Sequence, residues 1–418
     1  MTTSSARVDD SARPALSAWR FVTVFGTVSL LADFVYEGAR SITGPLLASL
    51  GASGLVVGVV TGVGEAAALG LRLVSGPLTD RTQRFWAWTI AGYALTVVTV
   101  PMLGVAGTLW VACVLVVGER VGKAVRSPAK DTILSHATAV TGRGRGFAVH
   151  EALDQIGAVI GPLTVAVVLA VTGGNYTPAL GILALPGAGA LALLIWLRLR
   201  VSQPHRYEHT EPTSAPSPAT AADPDPRVTR LPRRFWLYCG FTATTMLGFT
   251  TYGLLSFHMV DRGILSAAVV PVIYAAAMAA DAAAALASGW IYDRFGAKTL
   301  ALLPILSAAV PVLAFTDSVG LVVTGALVWG AGVGIQESTL RAVVADLVPA
   351  RRRATAYGLF AAALGAATAA GGALTGSLYE TSIAALLATV AAIQTLALTL
   401  AIAASYLKRQ PRRPLRIE

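Results

Sequence analysis

Apolar runs of about 20 residues follow one another along almost the whole chain, separated by short polar stretches. A helix rising ~1.5 Å per residue needs ~20 residues to cross a ~30 Å hydrocarbon layer. Each run therefore predicts a membrane span. Twelve are predicted, near residues 19–49, 54–79, 84–104, 108–136, 143–172, 178–200, 233–261, 266–293, 297–316, 319–347, 352–379 and 382–408. Barrel strands would read instead as ~10-residue segments of alternating polarity. Gly, Ala, Ser and Thr interleave with Leu and Val inside the runs, which suits helices packed closely on one another in lipid. The expected fold class is an all-α polytopic membrane protein of twelve transmembrane helices in two six-helix bundles.

Between the sixth and seventh spans, residues 201–232 hold seven of the 21 prolines and no apolar run, so this stretch reads as a flexible linker. The expected division is a tail over 1–18, an N-terminal bundle over 19–200, the linker, a C-terminal bundle over 233–408 and a tail over 409–418.

Composition agrees with a membrane chain. Of 418 residues 55% are hydrophobic and 13% charged, too few charges for a soluble protein of this length. A net charge of +10 would suggest nucleic acid for a soluble chain. Here the basic residues cluster in the N-terminal tail, the linker, the C-terminal tail and alternate loops, so membrane orientation explains them and no nucleic-acid partner is expected. Both termini and the linker are then cytoplasmic. Four lysines against 28 arginines, with abundant alanine, point to a bacterial source and so to its cytoplasmic membrane. Cys113 and Cys239 lack metal-ligand spacing. No metal, cofactor, nucleophile triad or phosphate-cradling loop is expected, which leaves an ion gradient to drive transport and excludes an enzyme.

The two halves repeat. Gly76-Pro-Leu-Thr-Asp80-Arg81 recurs 213 residues later as Gly289-Trp-Ile-Tyr-Asp293-Arg294. Arg126 and Asp131 recur 215 residues later as Arg341 and Asp346, and Phe34 and Gly38 as Phe249 and Gly253. Duplicated halves are the plan of many secondary transporters, with the substrate site between them near the midplane.

Gly76, Asp80, Arg81 and Arg84, with Gln83 in place of a glycine, resemble the G-x-x-x-D-R-x-G-R signature of the major facilitator superfamily. The second copy keeps Gly289, Asp293, Arg294 and Gly296 and ends in Lys298. The fourth-span segment GERVGKAVRSPAKD resembles that family's arginine-plus-glycine motif, and its R-x-G-K-x-x-R-x-P-x-x-D string is similar to a branch of prokaryotic efflux-type permeases. On the fifth span, Gly157, Gly161 and Pro162 are similar to the G-x-x-x-G-P core associated with antiporters, with Thr164 and Val165 where a glycine pair normally follows. The resemblance runs from about residue 19 to 408. It implies two halves that rock around a central site, with the first and fourth helices lining the cavity.

Charges present in both halves are expected to form a cytoplasmic gate. Asp80 and Asp293 would accept from free amide donors at helix N-termini, Arg84 would reach Asp131, and Arg81, Arg126, Arg294, Arg341 and Asp346 would complete the latch. Charges without a repeat partner are the candidates for transport, since ionisable groups in a membrane are costly and face a cavity or one another. Asp33, Glu37 and Arg40 recur at helical spacing on the first span, and Arg120 on the fourth reaches a similar depth. A cluster of Asp33 and Glu37 facing Arg120 is the expected proton-coupling site, Glu37 ahead of Asp33. Expected cavity or substrate residues are Arg40, Glu65, Arg72, Glu119, Arg120, Tyr252, Asp281, Trp329 and Gln336.

The expected function is a monomeric exporter of a small organic compound by proton antiport. The acids among the cavity residues lean towards a cationic or zwitterionic solute. Three alternatives stand beside it: proton symport of an anionic solute held by Arg40 and Arg120, translocation of a lipid or amphiphile, and a transport-dead sensor or scaffold.

Overall fold

A computed structural model describes residues 16–210, 231–348 and 352–406. Among these the chain is helical, with no strand. The N-terminal half contains α1 (Ala18–Ser41), α2 (Thr43–Ser49), α3 (Gly54–Gly70), α4 (Arg72–Thr82), α5 (Phe85–Leu103), α6 (Leu109–Thr141), α7 (Arg143–Val171), α8 (Tyr176–Gly181) and α9 (Ala184–Arg200). The C-terminal half contains α10 (Arg233–Leu247), α11 (Tyr252–Asp261), α12 (Val270–Phe295), α13 (Leu302–Ala314), α14 (Val319–Leu347), α15 (Arg353–Thr381) and α16 (Ile383–Tyr406).

Nine helical stretches among the described residues are long and apolar enough to cross a membrane. The other three predicted spans fail that test for visible reasons. Thr299–Ala314 is apolar but short. The 33-residue α6 carries Glu119, Arg120, Lys123 and Arg126 along its length. The span expected over 233–261 is broken into α10 and α11. The chain is a multi-pass membrane protein.

Four of the predicted spans are broken rather than continuous: besides the second at Leu71 and the sixth at Ile182–Leu183, the first and the seventh are divided. The first divides at Ile42, because Pro45 has no N–H to give to the carbonyl of Ser41. The seventh unwinds over Gly248–Thr251. Irregular backbone in a membrane is tolerated only where protein or a cavity satisfies it. Here Trp329 Nε1 donates to the Thr250 carbonyl at 3.0 Å and Gln394 Nε2 to the Thr245 carbonyl at 3.0 Å. Within the expected linker, residues 204–210 form a 3-10 turn, whose Tyr207 packs on Phe21 and donates to the Leu16 carbonyl at 2.9 Å.

Small residues decide which helices meet. Gly54, Gly58 and Gly62 of α3 lie against Gly372, Gly376 and Ala369 of α15, and a Cβ at Gly58 would strike the Gly372 carbonyl. This small-residue spacing lets two backbones touch, and it joins the two halves. A Cβ at Gly157 or Gly161 would strike the carbonyls of Leu30 and Phe34, so the α7 motif serves close packing on α1. At the end of the bundle remote from the termini, Gly44 of α2 sits on the Gly253 carbonyl of α11. There too Thr61 and Thr251 share a hydrogen bond of 2.9 Å and Glu380 accepts from the Leu55 amide at 2.9 Å. That end is closed.

Candidate functional site

A cavity of about 930 Å³ lies between the halves. It runs from Thr43, Thr61 and Gly253 at the closed end to Asp80 and Thr355 at the terminal side, where both side chains are exposed. Its two walls differ. The N-terminal half supplies Arg40, Glu65, Arg72, Glu119, Arg120 and Lys123. The C-terminal half supplies Phe249, Tyr252, Trp329, Val333, Phe360 and Leu364, and its single lining charge among the described residues is Glu337.

Three cations converge on the phenol oxygen of Tyr36. Lys123 Nζ donates to it at 2.9 Å and Arg40 Nη1 at 3.4 Å, and Arg120 Nη1 donates to it as well. Arg120 and Lys123 also lie over the Tyr36 ring, at 4.6 and 4.3 Å from its centroid, where the ring's negative face attracts them. Two carboxylates offset part of this charge. Glu65 Oε1 holds Arg40 at 2.9 Å and Arg120 at 3.4 Å, and Glu119 Oε2 lies 3.4 Å from Arg120 Nε. Lys123 forms no ion pair among the described residues.

Glu37 is buried beside this cluster without lining the cavity. It accepts a hydrogen bond from Tyr274 of α12 and lies 3.7 Å from Arg40. A carboxylate of one half is thus held by a phenol of the other. Tyr274 stacks edge-on against Tyr252 at 4.5 Å between centroids, and Tyr252 packs on Trp329 at 5.1 Å.

The expected cluster of Asp33 and Glu37 facing Arg120 is not what forms; Arg120 pairs with Glu65 and Glu119 instead. The reason is helical geometry. At ~100° per residue, Glu37 is turned ~40° from Asp33 and lies ~6 Å farther along the axis. Asp33 faces a second buried group, where its main electrostatic neighbours are Asp154, Lys130 and Lys123, with Glu37 the weakest of those that act on it. In that group Ser29 Oγ and His150 Nε2 are 2.9 Å apart, His150 Nδ1 is 3.4 Å from Asp154, and Lys130 Nζ is 3.6 Å from Asp154.

Of the other expected cavity residues, Arg72, Tyr252, Trp329 and Gln336 line the space, and the buried Nε2 of Gln336 has no hydrogen-bond partner among the described residues. Asp281 does not line it. It is buried between α12 and α14, against Gly334.

Of the expected gate, Gly76 is half-buried on the cavity wall, while Asp80, Arg81, Arg84 and Asp131 are exposed. Arg84 and Asp131 form no ion pair with each other among the described residues, and Asp80 lies in the last turn of α4, which ends at Thr82 beside the open mouth. Arg126 is buried, donating to Thr96 Oγ1 at 3.0 Å and lying 4.8 Å over the Tyr93 ring. Gly289 lies within α12, and Arg294 is exposed with its guanidinium 5.9 Å from the Trp290 ring centroid. The side chains of Asp293, Arg341 and Asp346 lie outside the described residues. Pro162 lies within α7, one residue beyond the Gly161 contact with α1.

Sequence reasoning missed Tyr36, Lys123 and Tyr274. Lys123 follows Arg120 by three residues and Tyr36 precedes Arg40 by four, so helical spacing carried a signal for both. Tyr274 carried none, since its role depends on how the halves meet.

The family model of the Major Facilitator Superfamily matches residues 27–280 and 257–418. The chain belongs to that superfamily. It is therefore a secondary transporter rather than an enzyme. The protein Rv2265 of Mycobacterium tuberculosis is 72% identical over 389 residues, covering 93% of each chain. Among solved structures, the nucleoside transporter NupG superposes with a TM-score of 0.68 at 14% identity, covering 94% of this chain and 100% of that one. A peptide transporter, POT, in complex with sulfate gives 0.73 at 15% identity, covering 93% and 94%. At such identities both likenesses show the superfamily fold alone.

Proposed function

We propose that this superfamily member couples movement of a small organic solute to protons, with Glu37 as the coupling carboxylate. The observation that carries the reading is the Tyr274–Glu37 hydrogen bond between the halves. An ionised Glu37 accepts from Tyr274 and attracts Arg40, whereas a protonated one releases Arg40 and weakens the link. Protonation then changes both the charge beside the cavity and the contact between the two bodies that rock. The groups facing Glu37 are Asp33 and Arg40 on its own helix, Glu119 and Lys123 on α6, and Tyr274 and Asp281 on α12.

Loop charge supports cytoplasmic termini, and on that reading this conformation opens inward. Export by antiport rests on acids that a cationic solute would share with the proton. Asp33 and Asp281 are not on the cavity wall and Lys123 is, which favours the second reading, uptake by symport.

The test reads conformation rather than transport, so no solute is needed. Spin labels at positions 80 and 355, across the mouth, are measured in nanodiscs from pH 5 to pH 8. The distance distribution should shift with pH in the parent and stay fixed in Glu37→Gln. A pH response that persists unchanged in the variant removes Glu37 from the coupling role.

A further inference from the structure

We propose that the solute is an organic anion, its acidic group held by Arg40, Arg120 and Lys123 and its apolar body laid against Phe249, Val333 and Leu364. This rests on the reading of the cavity as the transport site and names what enters it.

Three observations converge. The acceptor at the focus of three cations is a phenol oxygen, not a carboxylate, so the charge gathered around Tyr36 is not answered by the group that binds it. Within this cluster, Arg40, Arg120 and Lys123 stand against Glu65 and Glu119 on the wall, with Glu37 behind it. That set is balanced when Glu37 is ionised and carries one surplus positive charge when Glu37 is protonated. Charge-assisted hydrogen bonds to guanidinium and ammonium are among the strongest available to a carboxylate, and the part-enclosed site strengthens them relative to water. Opposite this wall the C-terminal half offers mostly apolar side chains, and Glu337 is its one lining charge among the described residues. A cation would meet three positive groups converging on Tyr36. A fully polar anion would leave the apolar wall without a partner.

The same arrangement fixes the sign of coupling. A proton on Glu37 and an anion on the three cations attract each other, so each raises the affinity for the other, by the reciprocity of linked equilibria. Ligands that bind together are carried together, which is symport. A cation would compete with the proton and give antiport.

Three probes of matched shape test the class: 4-phenylbutyrate, 4-phenylbutyramide and 4-phenylbutylamine, added to the purified full-length chain in nanodiscs at one fixed pH. The carboxylate should raise Tm with a half-maximal concentration at least about ten-fold below that of the amide or the amine. Lys123→Gln should raise that concentration about ten-fold, and Lys123→Arg should restore it. Equal or greater stabilisation by the amide or amine overturns the proposal, as does no stabilisation by the carboxylate or a Lys123→Gln variant that binds it unchanged. Glu37→Gln should keep the preference for the carboxylate. A pH-insensitive mouth with a carboxylate preference intact would end the proton reading and leave this one standing.

Discussion

Tyr274 of α12 donates its phenol hydrogen to the carboxylate of Glu37 on α1, so a buried acid of the N-terminal half is held by the other half. A hydrogen bond to a charged group contributes about 1.5–3 kcal/mol. Tyr274→Phe removes the donor and keeps the ring that stacks on Tyr252 and Trp329. The variant should fold and should shift the equilibrium at the mouth by about ten-fold or more, read from the populations of labels at positions 80 and 355. An unchanged distribution would show that the bond does not bias the rocking of the halves.

A second link between the halves is steric. Gly58 of α3 and Gly372 of α15 each lie where a Cβ would meet the other's carbonyl. Neither contact can relax through a side chain, because the obstructing atoms are backbone. Gly58→Ala should therefore force α3 and α15 apart and open the end remote from the termini. A cysteine at position 61, with Cys113 and Cys239 replaced, reports this. Its labelling by a membrane-impermeant maleimide should rise several-fold in the Gly58→Ala background. Labelling no faster than in the parent would mean that the interface closes in some other way.

The motif at the mouth carries a feature that bears on stability alone. Gln83 closes α4 at φ 53°, the one non-glycine among the described residues with positive φ. A left-handed conformation costs an L-residue roughly 1–2 kcal/mol, and glycine stands at this place in the signature. Gln83 recovers part of that cost by donating from Nε2 to the Asp80 carbonyl at 2.7 Å. Gln83→Gly should leave Tm equal or slightly higher, and Gln83→Val, which is β-branched and has no donor, should lower it. The reverse order in thermal unfolding would refute the strain.

The sequence made the fold legible because hydropathy, loop charge and internal repeat report on spans and symmetry one helix at a time. The Gly157 and Gly161 spacing was visible as an antiporter-like core, whereas its packing role, each glycine meeting an α1 carbonyl, needed the structure. The site was legible only in part. Arg40, Glu65, Arg120 and Trp329 were found because a charge or large aromatic inside a span needs a reason. How they pair was not, since the direction of Glu37 relative to Asp33 depends on a ~40° turn of α1 and on what α12 places opposite. Asp281 shows the converse: a lone acid within a span faces α14 rather than the solute space. Even the break over Gly248–Thr251, which sets Phe249 and Tyr252 on the cavity wall, depends on Trp329 and Gln394 from distant helices.

Glu65 offers the most direct contrast between a structural and a solute-binding role for the cation cluster. Its Oε1 holds both Arg40 and Arg120, and the pairs are only partly shielded, with 26% of the Glu65 side chain exposed. Removing one partner of a fully buried pair costs about 3–5 kcal/mol because the other charge is stranded, and this exposure reduces the figure to about 1–3 kcal/mol. Glu65→Gln should thus lower Tm in the absence of any solute. If the cluster exists to hold an anion, the stranded guanidiniums should bind one more tightly. Adding 4-phenylbutyrate should then recover more of Tm in Glu65→Gln than it adds to the parent, and 4-phenylbutylamine should recover none. A loss of Tm that the carboxylate does not repair would assign Arg40 and Arg120 to holding the helices together.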